Sequence, residues 1–403
     1  MIAKLVFFFL YYKKSIKFAA DNNIIVFSIM RITTDIDLAL REAVALFDPA
    51  QVYILTDSNS AKYCLPTILN TLSISQERIL TIPSGDDNKN LQTLTWIWEQ
   101  LSNLGATRKS LLLNLGGGMI TDIGGFAAAT FKRGMSFVNI STTLLGAVDA
   151  ATGGKCGINF NNLKNEIGII KPANEVIIYP PFFSTLTPQH FLAGYAEMLK
   201  HGLISSPIDT NQLLAFPIEE YLENADKPFC TDDLGDQYIN PIYEQLIHMI
   251  RRSLEIKQYI VDQDIEESSL RKSLNFGHTI GHALEELSLQ QSLKSNPQKT
   301  FPLLHGYAVM YGMVAELYLS VIKLNFPKEK FQQIVRFMVD YYGKPQCACD
   351  DYEKLYQLML HDKKNLSPTD INFTLLANVG NPRINQTADK KEIFEALDYV
   401  MNL

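Results

Sequence analysis

The chain has 403 residues, 47% apolar and 20% charged, the ordinary balance of a soluble globular protein with room for two cores. A net charge of −7 leaves no electrostatic footprint for nucleic acid, so any anion site must rest on local lysines and arginines. Five cysteines, odd in number and dispersed, fit reduced thiols in a cytoplasmic protein better than a disulfide framework.

Residues 1–29 stand apart as an N-terminal extension. The apolar run Leu5–Tyr12 is far short of the ~20 residues of a membrane span, and no small-residue cleavage site follows it. A signal-like segment is one reading; translation beginning at Met30, where ordinary domain character starts, is the preferred one. No membrane partner is expected.

From Gln51 the pattern alternates. Val52–Thr56 and Arg78–Ile82 read as strands, Leu91–Leu104 as a helix, and Ser110–Leu115 as a strand buried on both faces. A helix containing Asp122–Thr130 and a strand over Phe137–Ile140 follow. Alternation of this kind predicts a Rossmann-like parallel sheet in an α/β domain over 30–185. Past Pro188 helical signals dominate: Gly194–Ile204, Pro241–Asp262, Arg271–Leu287, His305–Leu324 and Lys328–Tyr342. An all-α domain over 186–403 is expected, with an exposed loop over 288–304.

Gly116-Gly117-Gly118 lies between a buried strand and a helix, where bare backbone and a helix N-terminus suit a pyrophosphate. It is not the G-x-G-x-x-G fingerprint, and a tight strand-to-helix turn explains it equally well. Asp57 and Asn59, after an earlier strand, stand where ribose or adenine contacts arise.

His278 and His282 lie four apart, which stacks them on one helix face, and His305 follows. With Glu197 in Ala196-Glu197-Met198-Leu199-Lys200-His201, His278 and His305 make a one-carboxylate, two-histidine set of the catalytic kind, with positions left open. His201, four residues after Glu197, is a rival ligand. Cys347 and Cys349 have no second Cys/His pair and carry no metal expectation. Lys155, Lys164, Lys200, Lys257, Arg271 and the Lys363-Lys364 pair, gathered around a metal and a dinucleotide, suggest an anionic substrate carrying phosphate, carboxylate or both.

These stretches resemble the 3-dehydroquinate synthase family of the sugar-phosphate cyclase group. The motifs are Gly116–Asp122, Phe126–Gly134, Ser141–Asp149, Gly153-Gly154-Lys155, Lys164-Asn165, Ala196–Gly202, Leu274–Glu285 and Asp362-Lys363-Lys364, spread over about Val52 to Val379. The resemblance implies an NAD-binding α/β domain and a helical metal domain with the active site between them. It places the metal, zinc or cobalt, on Glu197, His278 and His305, which demotes His201. Cofactor contacts fall on Asp57, Asn59, Asp86, Lys89, Gly116, Gly117, Gly118, Asp122, Thr142, Thr143 and Lys164. Catalytic roles fall on Asp149, Lys155, Lys200, Asn275 and His282. Substrate contacts fall on Arg133, Lys155, Asn165, Lys257, Arg271, Asn275, His282, Lys363 and Lys364, with Arg133 reaching the neighbouring site of a homodimer.

The implied reaction takes 3-deoxy-D-arabino-heptulosonate 7-phosphate to 3-dehydroquinate and phosphate. It runs through transient oxidation at C5, phosphate elimination, re-reduction, ring opening and aldol closure, within the shikimate pathway to chorismate and the aromatic amino acids. The family's usual residues are replaced at Asp86 and Cys156, at His190 before the metal helix, and within Gly168–Pro172. Two rivals remain on the same plan: another sugar-phosphate cyclase, whose substrate lacks the carboxylate, and a metal-dependent polyol dehydrogenase, which has no use for Lys155, Lys200, Lys257 and Arg271 together.

Overall fold

The computed structural model describes residues 29–403 apart from 162, 233–234, 265, 295–301, 346–348, 362–364 and 366–369. Strand β1 (Ile29–Ile32) leads into helix α1 (Ile36–Val44), capped by Asp35. Then come β2 (Val52–Asp57), α2 (Ser58–Tyr63), α3 (Leu65–Thr71), β3 (Ile79–Ile82), α4 (Leu91–Asn103), β4 (Leu111–Gly116), α5 (Gly118–Thr130) and β5 (Ser136–Ser141). A hairpin, β6 (Lys155–Phe160) and β7 (Leu163–Ile170), precedes β8 (Glu175–Ile178).

Six strands form one parallel sheet in the order β1-β8-β5-β4-β2-β3. β2 and β4 are buried along their whole length because helices cover both faces, which is why they read as unbroken apolar runs. From β2 the chain goes to one edge at β3 and then back across to β4. That reversal leaves a crevice at the carboxyl ends of β2 and β4, the place where such sheets take ligands.

Helices α6 (Pro188–Ser205), α7 (Pro207–Ala215) and α8 (Ile218–Glu223) open the second half. After the short hairpin β9 (Phe229–Thr231) and β10 (Gln237–Ile239) come α9 (Pro241–Gln263), α10 (His278–Lys294), α11 (His305–Leu324), α12 (Lys328–Tyr342) and α13 (Tyr352–Leu360). A second hairpin, β11 (Asn372–Asn378) and β12 (Asn381–Thr387), and α14 (Lys390–Met401) end the chain. This half is helical as expected, with the two hairpins added to it. Helix α11 is long and apolar enough, by composition, to cross a membrane, yet it is mostly buried, packed by α6, α10, α12 and α14.

Three boundaries differ from the sequence expectation, the first being α6, which starts at Pro188 rather than Gly194. The helix predicted from Arg271 starts only at His278; Leu270–Asn275 is a tight 3-10 segment. Gly277 explains the break: its φ of +80° is left-handed, and a Cβ there would lie 2.4 Å from Met313 Cγ. The predicted loop over 288–304 is helical as far as Lys294.

Candidate active site

Glu197 lies in mid-α6, while His278 and His305 are the first residues of α10 and α11. Close helix contacts draw the three together: a Cβ on Gly306, next to His305, would sit 1.9 Å from the Ala193 carbonyl of α6. Each of the three residues offers one donor atom, all within 4.8 Å of one another. His278 Nε2 is 3.5 Å and His305 Nε2 is 3.3 Å from the same oxygen, Glu197 Oε1. The other ring nitrogens are held from behind, His278 Nδ1 by the Phe276 carbonyl at 3.1 Å and His305 Nδ1 by Glu285 Oε2 at 3.2 Å.

Glu197 is fully buried and ion-paired with Lys200, yet neither carboxylate oxygen receives a hydrogen bond of good geometry. Burial raises its pKa, but Lys200, His278 and His305 outweigh that and hold it well below the carboxylate range. Burial and Lys200 keep His278 neutral, its pKa far below the usual imidazole value. Burial opposes charge on His305 too, but Glu285 and Glu197 push it up to about 10. A dry carboxylate with unsatisfied lone pairs, faced by two Nε2 atoms, fits a cation, and one carboxylate with two imidazoles suits zinc or cobalt.

Two overlapping groups compete for that role. His282, Glu285 and His305 form one; Asp149, Glu197 and His201 form the other. In the first, Glu285 is already engaged by Lys164 at 2.6 Å. In the second, Asp149 Oδ1 is held by Lys257 Nζ at 2.6 Å, and His201 Nδ1 contacts Ser253 Oγ at 2.7 Å. Burial, followed by Lys200, keeps His201 neutral with a pKa near about 3.

The crevice between β2 and β4 gathers most of the expected cofactor set. Asp57 ends β2 and caps α2, accepting from the amides of Asn59 at 2.9 Å and Ser60 at 3.2 Å. Ser60 Oγ reaches Thr142 Oγ1 at 3.2 Å, and the Thr142 amide donates to the Gly116 carbonyl at 3.0 Å. A Cβ on Gly117 would lie 2.9 Å from the Thr143 methyl group, so packing within this chain already demands the glycine; Gly118 opens α5. Deeper in, buried Lys89 reaches Asp122 Oδ2 at 3.1 Å and Asn165 Oδ1 at 2.6 Å. Asp86, despite its short side chain, lies 3.5 Å from both Lys89 and Lys164. Burial lifts Asp122 to about 6 against the pull of Lys89.

On the other wall, Lys257 is paired with Asp149, and burial lowers the pKa of its ammonium. A Cβ on Gly153 would meet Arg271 Nη2 at 3.5 Å and Lys257 Cε at 3.8 Å, which puts both cations beside one stretch of backbone. Asp264 accepts the Arg271 amide at 3.0 Å. Glu267, at a left-handed φ of 59°, accepts from Lys155 Nζ at 2.7 Å and from Asn275 Nδ2 at 2.8 Å. The His282 ring centroid is 5.2 Å from that of His278.

Arg133 does not join this group. It follows α5, whose 13 residues carry the chain about 20 Å from the Gly118 end of the crevice. Lys363 and Lys364 lie outside the described residues. Of the substituted positions, His190 contacts Thr187 Oγ1 at 2.8 Å at the start of α6, and Cys156 is buried, its thiol pushed up to about 12.

Three carboxylates in this site were not assigned from sequence. Glu285 had a signal, lying seven residues after His278 on the same helix face. Glu316, fully buried on α11, accepts the amides of Gly277 at 2.7 Å and Thr279 at 3.2 Å and so anchors the start of α10. Glu267 had no signal: in the run Glu266-Glu267 it reads as a solvated charge.

Comparison with known proteins points one way. The sequence model of the 3-dehydroquinate synthase N-terminal domain matches residues 79–193, and that of the C-terminal domain matches 194–365. The chain is 45% identical over 368 residues to 3-dehydroquinate synthase of Parabacteroides distasonis, covering 91% of this chain and 96% of that one. It is 32% identical to the 3-dehydroquinate synthase of Pyrococcus furiosus, over 90% of this chain and 96% of that one. Among solved structures it resembles a 2-epi-5-epi-valiolone synthase from Streptomyces hygroscopicus subsp. jinggangensis with NAD+ and Zn2+ bound. The TM-score is 0.77 at 21% identity, over 95% of this chain and 99% of that one. A 2-deoxy-scyllo-inosose synthase complexed with carbaglucose-6-phosphate, NAD+ and Co2+ aligns with TM-score 0.73 at 21% identity, over 92% and 96%. Glycerol dehydrogenase from Schizosaccharomyces pombe shares the fold at 0.59 and 14% identity, over 95% of this chain and 91% of that one.

Proposed function

The chain belongs to the 3-dehydroquinate synthase family, and we propose that its cleft converts 3-deoxy-D-arabino-heptulosonate 7-phosphate to 3-dehydroquinate and phosphate. The observation that carries the reading is the pairing of two sites. Glu197, His278 and His305 converge on one point, while Lys257 and Arg271 flank Gly153 on the wall beside it.

In this reading Glu197, His278 and His305 would hold a zinc or cobalt ion, which would supply charge stabilisation for developing negative charge on the substrate's hydroxyl oxygens. Asp57, Asn59, Asp86, Lys89, Gly116–Gly118, Asp122, Thr142, Thr143 and Lys164 would hold NAD at the β2/β4 crevice, where it would supply a reversible hydride acceptor. The protein's own task is then to position and to neutralise. Lys257 and Arg271 bind the substrate carboxylate; a guanidinium suits its planar fork. Lys155, Asn165, Asn275 and His282 bind the phosphate, whose departure needs cations at its oxygens, and the family resemblance gives Lys363 and Lys364 the same role. Asp149 holds Lys257 in place, and Lys200 balances the charge of Glu197 in a dry site.

Several finer points belong to the same reading. The division between the cofactor half and the metal half lies at 185/186, between β8 and α6. Arg133, remote from this chain's own cleft, serves the neighbouring site of a homodimer. Free Cys64, Cys156 and Cys230 suit a reducing, cytoplasmic setting.

The test is direct. Incubated with the heptulosonate phosphate, NAD and divalent metal, the protein should release phosphate and dehydroquinate in equal amounts, and a chelator should abolish both. Stoichiometric NADH from glycerol without phosphate release would identify a polyol dehydrogenase instead. Phosphate released from glucose 6-phosphate or sedoheptulose 7-phosphate, but not from the heptulosonate, would identify a sister cyclase.

A further inference from the structure

We propose that Glu285 is a positioning residue that couples the two halves of the enzyme: one carboxylate holds both His305 at the metal site and Lys164 on the β6–β7 hairpin, so the seating of that hairpin sets metal affinity. The proposal rests on the reading of Glu197, His278 and His305 as metal ligands and goes beyond it.

The geometry is a two-ended bridge. Glu285 Oε2 meets His305 Nδ1 at 3.2 Å, and Oε1 accepts from Lys164 Nζ at 2.6 Å. The Glu285 side chain is 8% exposed and that of Lys164 36%, so the bridge runs from the interior to the cleft's edge. Along α10, residues 278, 282 and 285 follow one face, which brings the carboxylate alongside both imidazoles.

Each end has a distinct consequence. A carboxylate behind a ligating histidine fixes which nitrogen carries the proton and aims the opposite lone pair at the metal. Here that turns His305 Nε2 toward Glu197 Oε1. At the other end, Lys164 ties down a hairpin that also carries Lys155 and Asn165, both expected at the substrate phosphate. Lys164 is shared with Asp86 at 3.5 Å, and Asn165 accepts from Lys89 at 2.6 Å. The hairpin thus hangs between the cofactor crevice and His305, and Glu285 is the link to the metal side.

The bridge predicts that a residue which is no metal ligand controls metal affinity. Cobalt(II) is titrated into chelator-stripped, full-length protein against a competing chelator, with circular dichroism to establish folding. E285Q should weaken cobalt binding about 10–100-fold, the range found for second partners of ligand histidines. K164M should weaken it about 3–10-fold, less because the pair is part-exposed, while K164R, which keeps the charge, should stay within about twofold of the parent. The double variant should bind no more weakly than E285Q alone, the sign that Lys164 acts through Glu285. Parent-like binding by K164M, or fully additive losses in the double variant, overturns the coupling. H278A separates this from the metal assignment: if H278A loses cobalt and K164M does not, the site stands and the bridge fails. If H278A binds as tightly as the parent, the site itself is misassigned. Should E285Q fail to fold, the contrast between K164M and K164R decides.

Discussion

Around Glu197 the cleft is walled by α6, α10 and α11, packed so closely that a single methyl group on Gly306 has no room. Around Lys89, Lys155 and Lys164 it is lined by a hairpin and two loops tied by ion pairs to one another and to α5 and α10, the Lys155 pair being the exposed one. The first wall is a close-packed frame of three helices whose backbones fix where Glu197, His278 and His305 sit. In the second, each cation already has a resident carboxylate: Asp122 for Lys89, Glu267 for Lys155, Glu285 for Lys164. An anionic ligand entering there must exchange with partners that are already bound. The contrast separates a preformed site from one assembled by exchange.

The strongest way to break the contrast is H278A. Removing one of three donors in a close-packed frame should cost at least about 10³-fold in phosphate release and leave the purified protein metal-poor, checked by elemental analysis. Near-normal turnover would show that the frame is not where the chemistry lies. Next is G306A, which forces α6 and α11 apart at the Ala193 carbonyl. About 1–3 kcal/mol of stability should be lost in thermal unfolding, with weaker cobalt binding as the donors separate. A fully stable G306A would mean that the frame yields.

Asp122 sharpens the other side. Its carboxyl titrates at about 6, above the ordinary 3.8, because burial disfavours its charge. Stability from this group is therefore complete below about pH 4 and is lost as pH rises through 6. D122N cannot titrate, so its melting temperature should vary less with pH between 4 and 6, a difference worth about 2 kcal/mol at most. Identical pH profiles for parent and D122N would remove the argument. The smallest effect is expected for E267Q. Taking the charge from the carboxylate that holds Lys155 and Asn275 should tighten binding of inorganic phosphate several-fold, roughly 3–10, by calorimetry. Unchanged or weaker phosphate binding would mean that Glu267 is not the occupant displaced.

The same contrast governs what could be read from the sequence. The frame was legible because its signals are local: histidines four apart, an apolar run over His305–Leu324 that matches α11 residue for residue, and strands buried on both faces. The start of α10 was misplaced because Arg271–Asn275 has helical composition, while the stop depends on Gly277 meeting Met313 of a helix 36 residues away. The assembled wall was legible only as lysines. Its hairpin pairs Gly157 with Gly168 and leaves one face open, so no apolar alternation marks it. The partners of those lysines are fixed by tertiary contact. Glu267 lies 112 residues from Lys155 and Glu285 lies 121 from Lys164, separations over which no periodicity speaks.

Helix α11 has a consequence for how the chain reaches its fold. A segment apolar enough to span a bilayer is safe only once α6, α10, α12 and α14 have closed around it, and α12 and α14 come after it in the chain. Until then its surface is available to any other newly made chain. Refolding from denaturant should therefore lose yield as protein concentration rises, through aggregation that competes with closure of the C-terminal elements.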